Sequence, residues 1–407
     1  MTSLTVTVGL DIAQQTLNAL ASNIGNVSTP GYKSSAYSFD ATLAASTNSV
    51  LSDPSAGNVQ QFTQGSITST GNPLDAAING QGFFVMGNGG GQVGYSRDGQ
   101  FAIGSSGTLQ GINGENVMGY SSDGKGNIIP NLSKISLSKT PLPPSASSTV
   151  SMALNLAGSQ SAPTTTLFNA TDPTSYNNSQ TVTVFDKSGV SHSLQTYFVS
   201  SGANLSGPNT YNLHFTLDGK DVTPTTPPSL QFSADGTQVT TGANANPSAI
   251  ALTLPASGGT SFPVNVDISQ VTQFGGTYQA VSVTANGYGV GNFSNFSIGQ
   301  DGKITASYGN GQSLVVGQVA LANFVNPQGL AQTNDGLFLE SSASGQPTVG
   351  APGTGALGVL QSSSLESSNV DIASSMVEMI TAQRNYQANA EAVKVNDQIM
   401  QDLVTLR

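Results

Sequence analysis

The chain has no cysteine, which excludes disulfide scaffolds, thiol catalysis and thiolate metal sites. Charge is almost as scarce. Only 8% of the 407 residues are charged, against roughly 25% in an ordinary soluble domain. The 11 basic residues are scattered among 22 acidic ones, and no two are adjacent. That distribution offers no electrostatic footprint for a phosphate backbone or an anionic bilayer, so neither nucleic acid nor membrane surface is an expected partner. No run approaches the ~20 apolar residues that a membrane helix needs, so no membrane insertion is expected either. Met1 to Gln15 has no basic segment and no continuous apolar run, so no cleavable secretory signal is expected. Gly (47) and Pro (19) together stay below the share of about 25–30% that marks low-complexity chains. The expectation is a folded protein whose surface is built from Ser, Thr, Asn, Gln and Gly.

Catalytic signals are also missing. The run from Gly119 to Lys125 matches GxxxxGK, but Gly126 stands where a phosphate loop needs Ser or Thr. GxGxxG matches at Gly89 and Gly353 lie in Gly-rich stretches with no helix after them to hold a pyrophosphate. The two histidines, His192 and His214, form no HExxH pair, and His214 falls on the polar side of its strand, as a solvated residue would. There is no GxSxG elbow and no EF-hand spacing of acids. No catalytic residue, metal or cofactor is expected.

What is present divides the chain into two ends and a middle. Val6, Leu10, Ala13, Leu17, Leu20, Ile24 and Val27 alternate by four and three, an a/d seam on a helix that Pro30-Gly31 should stop. The C-terminal segment mirrors it. Ser368-Asn369-Val370-Asp371 has the S-x-x-D form of a capping box, and no Pro or Gly follows it. Ile372, Met376, Met379, Tyr386, Ala390, Val393, Met400 and Val404 lie on one track, with Gln383 and Asp397 as polar members. A second track with Ala373, Val377, Ile380, Val395, Ile399 and Leu406 widens the apolar face. Two such helices need partners, and the simplest partner is each other, within and between chains.

The middle reads as antiparallel β-structure. Asp-Gly and Asn-Gly dipeptides recur, as at Asp218, Asp301 and Asn310, and supply the positive-φ residues of tight hairpins. Alternating runs flank several of them, Tyr211 to Leu217 being one. Composition places a connector over 31–70, one β domain from 71–147 and 286–365, and a second from 148–285. The expected class is α+β, mainly β, with discontinuous nested domains: residues 1–30 and 366–407 form a coiled-coil-like helical domain, into which two antiparallel β domains are inserted.

Two motifs carry a resemblance. The run LNALASNIGNVSTPGYK, with Asn23, Ile24, Asn26, Thr29, Gly31, Tyr32 and Lys33, resembles the N-terminal signature of bacterial flagellar axial proteins. Asn369, Val370 and Asp371, with Gln383, Arg384, Asn385 and Tyr386, resemble its C-terminal half. DAAINGQGFFVM (75–86), YSRDGQF (95–101) and SYNNSQTVTVFDKSG (175–189) are similar to internal stretches of the hook branch of that family.

The resemblance implies a structural subunit, not an enzyme. It would form a short, curved, hollow helical polymer that passes motor torque to the filament while bending. The helices would line the inner tube and 148–285 would face outward. It further implies export through the flagellar type III apparatus to the extracellular hook. Partners would be other copies of the chain, rod and hook-filament junction proteins, and a hook cap. A distal rod or hook-associated subunit is the nearest alternative, and a secreted polysaccharide-active enzyme a remote one.

Overall fold

The computed structural model describes residues 2–37, 58–87, 91–158, 160–202, 209–240, 246–256, 259–333 and 335–405. Within the helices it does not describe the side chains of 2–8, 396, 397, 400 and 402–405, so those of Val6, Asp397, Met400 and Val404 lie outside the described residues. Leu406 and most of the 31–70 connector (38–57) lie outside them as well. The chain divides into two compact units: Met1–Lys139 with Ser294–Ser307 and Ser313–Arg407, and Thr140–Phe293 with Tyr308–Gln312.

The first unit holds both helices, α1 (Thr2–Gly25) and α2 (Ile372–Thr405). At 1.5 Å per residue the 34-residue α2 extends about 50 Å. The two helices pack on each other. In α1 the seam residues Ala13 and Leu20 are buried, and Leu10, Leu17 and Ile24 are half-buried. In α2 the covered track runs through Ser375, Met379, Ala382, Tyr386, Asn389, Ala390 and Val393, a heptad spacing. Small residues allow the approach: a Cβ on Gly9 would stand 3.2 Å from Asn389 Nδ2. Among the described residues, no helix is long and apolar enough to cross a membrane.

The β part of this unit is an antiparallel sheet. Its middle runs Ser313–Val319, Asn116–Ser122, Phe83–Gly87, Val93–Ser96 and Phe338–Leu339. Phe83, Tyr95, Phe324 and Phe338 form its aromatic core through edge-to-face contacts with ring centroids 4.8–6.0 Å apart. Phe62 meets Phe83 and Phe338 at 5.4 Å, which anchors the chain arriving from the connector. Two short pairings tie the far end of the sequence to its beginning: Val359–Ser362 with Ala76–Asn79, and Ser364–Glu366 with Ile67–Ser69.

The second unit places two sheets around one core. One sheet has the order Ala249–Pro255, Ser261–Thr272, Thr149–Asn155, Gln279–Ala285; the other is led by Asn178–Phe185, Ser191–Ser200 and Asn209–Leu217. Side chains from both fill the core, among them Met152, Leu154, Phe198, Tyr211, Phe215, Phe232 and Phe262. Ala249–Pro255 alternates exposed and buried residues along its whole length, as a half-covered sheet requires.

The sequence predicts antiparallel pairing throughout, and here the structure differs. Thr149–Asn155 pairs in parallel with Ser261–Thr272, while its other edge is antiparallel to Gln279–Ala285. More than a hundred residues, including the whole other sheet, separate the parallel partners in sequence, far more than the dozen or so that such a crossover needs. The hairpin turns do follow their dipeptides. Asp218 (φ 50) and Gly219 (φ 79) both adopt the left-handed region in the turn joining Asn209–Leu217 to Lys220–Asp221.

Phe215 is fully buried in the second unit. Phe215→Ala is expected to lower the stability of that unit by about 3–5 kcal/mol, read as a shift in its urea unfolding midpoint.

Candidate assembly site

The N-terminal motif folds into a compact corner at the end of α1. Asn23 is buried on the last turn of the helix and acts as a strand would. Its Nδ2 donates to the Ser35 carbonyl at 2.8 Å, and its Oδ1 accepts from Ser35 N at 2.9 Å and from Tyr32 Oη at 3.1 Å. Asn26 then closes the turn. Its Nδ2 donates to the Ser22 carbonyl at 2.9 Å, and its Oδ1 accepts from Thr29 Oγ1 at 3.2 Å. Gly31 follows at φ 70, where a Cβ would overlap Asp98 N and the Arg97 carbonyl carbon, so only glycine fits. Gly25 ends α1 earlier than Pro30 alone predicts, and a Cβ there would meet nothing.

The C-terminal motif locks onto the same corner. Asn369 Oδ1 accepts from Ser34 N at 2.7 Å, and its Nδ2 donates to the Gln61 carbonyl at 2.7 Å and to Thr63 Oγ1 at 3.0 Å. Val370 is half-buried, and its N–H donates to Ser368 Oγ at 3.3 Å.

The capping box predicted from Ser368 to Asp371 is corrected. Asp371 is itself the N-cap, its Oδ1 accepting from Ser374 N at 2.8 Å and its carbonyl from Ser375 N at 3.0 Å. The physical reason is that Asn369 is committed to Ser34, Gln61 and Thr63, and Ser367 N donates to the Ser66 carbonyl at 2.8 Å. Residues 367–370 are thereby held out of the helix, which starts only after them. This cap and anchor set the direction of α2 and leave Ile372 and Met376 exposed, off the covered track. Gln383, Arg384 and Asn385 are exposed too, whereas Tyr386 is half-buried.

At the centre of the corner lie three buried charges. Lys33 Nζ donates to Glu366 Oε1 at 2.6 Å and to the Thr63 carbonyl at 2.8 Å. Arg97 Nε donates to Glu366 Oε2 at 2.9 Å, and its Nη1 to the carbonyls of Gly80 and Gly82 at 3.0 and 2.6 Å. Gly65 N completes the carboxylate's shell at 2.8 Å, and Gly31 N donates to the Glu366 backbone carbonyl at 2.7 Å. Lys33 and Glu366 are each only 1% exposed. Burial pushes the Lys33 ammonium below the ordinary lysine value, Glu366 opposes that shift, and the nearby Arg97 charge adds to it. Lys33 is a motif residue and Arg97 lies within the stretch YSRDGQF, whereas Glu366 belongs to none of the motifs that the sequence offers.

A cavity of about 490 Å³ opens beside this corner, bordered by Tyr32, Asp98, Glu115, Gln332 and Asp335. Asp98 is half-buried and accepts from Gln100 N at 3.0 Å. Burial, reinforced by the charges of Asp75 and Glu115, pushes its carboxyl up to about 6 despite that hydrogen bond.

This geometry fastens two helices of remote sequence to one β body. Residues 7–33 match the family model of the flagella basal body rod protein, and 361–406 that of the flagellar basal body rod FlgEFG protein C-terminal region. Residues 77–151 match the flagellar hook protein FlgE/F/G D1 domain, and 154–288 the flagellar basal body protein FlaE D2 domain. The flagellar hook protein FlgE of Escherichia coli (strain K12) is 38% identical over 417 aligned positions, which cover 98% of each chain.

The chain belongs to the flagellar hook protein family. The hook protein FlgE of Salmonella typhimurium (strain LT2) is 36% identical, again across 98% of both chains. The crystal structure of Helicobacter pylori flagellar hook protein FlgE2 shares the fold at a TM-score of 0.55 and 14% identity, over 74% of this chain and all of that one. As in the rest of the hook protein family, the role is structural: the chain is a subunit of the flagellar hook and an axial component that polymerises with itself.

Two outcomes test the corner. Glu366→Gln leaves two buried cations facing a neutral amide, and is expected to cost about 3–5 kcal/mol in urea unfolding of the monomer. Lys33→Met leaves the Arg97–Glu366 pair balanced and should cost clearly less. Asp98 supplies a pH signature. Its folded value of about 6 lies above the ordinary 3.8, so the folded state holds the proton more tightly. Its contribution to stability therefore falls as pH rises from about 4 to about 6 and is constant above that. Asp98→Asn should remove that slope from the unfolding free energy measured across this range.

Proposed function

We propose that this chain forms the curved, hollow hook polymer that carries torque from motor to filament, with α1 and α2 paired around the inner channel. The observation that supports this arrangement is the outer face of α2. Ile372, Met376, Val377, Ile380, Val395 and Ile399 are 46–65% exposed in the single chain, although α1 already covers the opposite track. An apolar stripe of that length on a helix with one partner is stabilised by a second partner, and other copies of the same helix pair supply it. Contacts of this kind run head to tail and do not close on themselves, so they generate an open helical polymer.

In this reading the first unit's β body forms the shell around the helices, and the second unit faces outward. Bending draws on polar, ion-poor contacts between β units, which slide at low cost. Rod and hook-filament junction proteins adjoin the two ends of the polymer, a cap protein assists growth at its tip, and the flagellar type III apparatus exports the subunit to the cell exterior. The full-length similarity to hook proteins favours this over a distal rod or hook-associated subunit.

Val377→Asp with Ile380→Asp places two charges on the exposed face and touches nothing in the covered track. The variant is expected to keep the circular dichroism spectrum of the wild-type monomer but to form no polymer by electron microscopy. In cells, antibody raised against residues 148–285 should label only the short curved segment between basal body and filament. Label on the straight rod or at the filament junction would reassign the subunit, and a hook that contains the protein without binding the antibody would refute the outward placement.

A further inference from the structure

The second unit contains a histidine clasp that neither the hook assignment nor its polymer contacts require. His192 lies near the start of the strand Ser191–Ser200, and its side chain is 10% exposed. Its Nδ1 is 2.7 Å from Asp218 Oδ2, and its Nε2 is 3.6 Å from Asp186 Oδ2. The two aspartates belong to different turns. Asp186 is buried and heads the turn between Asn178–Phe185 and Ser191–Ser200, where its Oδ1 accepts from Ser188 N and Val190 N at 2.9 Å each. Asp218 occupies the left-handed position of the next turn, and its Oδ1 accepts from Ser193 N at 2.8 Å. The ring thus bridges two consecutive turns at one end of the same sheet.

A neutral imidazole carries one N–H and can satisfy only one of these carboxylates, leaving a ring lone pair facing the other anion. An imidazolium carries two and faces both correctly. The titratable groups facing the ring are Asp186 and Asp218. Lys220 acts on Asp218, and from the opposite sheet the nearest ring is uncharged Phe262, 6.4 Å away between centroids. We propose that protonated His192 is a pH-sensitive pin that closes this end of the second unit, so that the unit loosens when the ring gives up its second proton.

The direction of titration agrees. The hydrogen bond to Asp218, with the Asp186 carboxylate 3.6 Å from the other ring nitrogen, raises His192 above the ordinary 6.5 although burial opposes it. A base whose folded value exceeds its unfolded one adds stability that is fully present below 6.5 and is lost as pH rises through the folded value. The other histidine provides an internal contrast. His214 stacks on Phe168 with centroids 4.1 Å apart, and burial lowers its value.

With only two histidines in the chain, their ring proton NMR signals can be followed in the full-length monomer. The signal that disappears in His192→Gln should titrate above 6.5, and the remaining one below. Asp218→Asn, at a side chain that is 50% exposed, should move the His192 midpoint downward without unfolding the unit. Urea unfolding should show the wild type losing stability relative to His192→Gln as pH rises through the His192 midpoint. A His192 midpoint at or below 6.5, a midpoint unmoved by Asp218→Asn, or a pH-independent stability difference between wild type and His192→Gln would each overturn the proposal.

Discussion

The carboxylate of Glu366 is the constraint on which the first unit depends. One buried anion satisfies a lysine from the end of the N-terminal motif, an arginine from the edge of the β sheet and the backbone amide of Gly65. Each of the three charges left alone there would be costly, and together they are tolerable only in one geometry. The energetic asymmetry matters more than the net sum. Such a cluster adds little stability over an apolar core, but it penalises any arrangement in which the three segments do not meet. Asn23 and Asn369 extend the same logic with neutral groups, each replacing a backbone partner that the irregular chain cannot provide.

That constraint also explains why the ends of this chain are readable while the corner itself was not. Heptad spacing survives in α1 and α2 because burial of a helix face is a local, periodic requirement. The motif from Asn23 to Lys33 was legible as a pattern, but its reason, a helix end rebuilt as a strand partner, needs coordinates. Glu366 belongs to no motif in the sequence, and it meets Lys33 across 333 residues. One trace was available in the sequence: Lys33 is the only charged residue between Asp11 and Asp40, and Glu366 the only one between Glu340 and Asp371. In a chain this poor in ions, isolated charges of opposite sign in uncharged stretches are candidates for mutual burial.

Other differences have similar origins. The capping box falls one turn too early in the sequence because side-chain competition from a distant segment is invisible to a local rule. Parallel pairing of Thr149–Asn155 escaped prediction because turn dipeptides report hairpins and say nothing of crossovers. Ile372 and Met376 share the track of Met379 by spacing, yet the anchored start of α2 turns them outward. His214 has the strand position of a solvated surface residue, whereas it is half-buried against Phe168.

Within the second unit, the stretches that begin and end the long segment 140–293 are neighbours. Leu142 bridges Gly291, Ser145 bridges Tyr288, and Asn286 Oδ1 accepts from the amides of Ser148 and Thr149 at 2.9 and 3.0 Å. The two stretches that bound residues 149–285 are thus held within hydrogen-bonding distance of each other. Insertions, deletions or wholesale replacement of the intervening chain therefore leave the distance between the flanking backbones unchanged. An architecture of this kind lets selection resize or redecorate one module freely, while the residues that hold the remaining fold together stay under constant constraint.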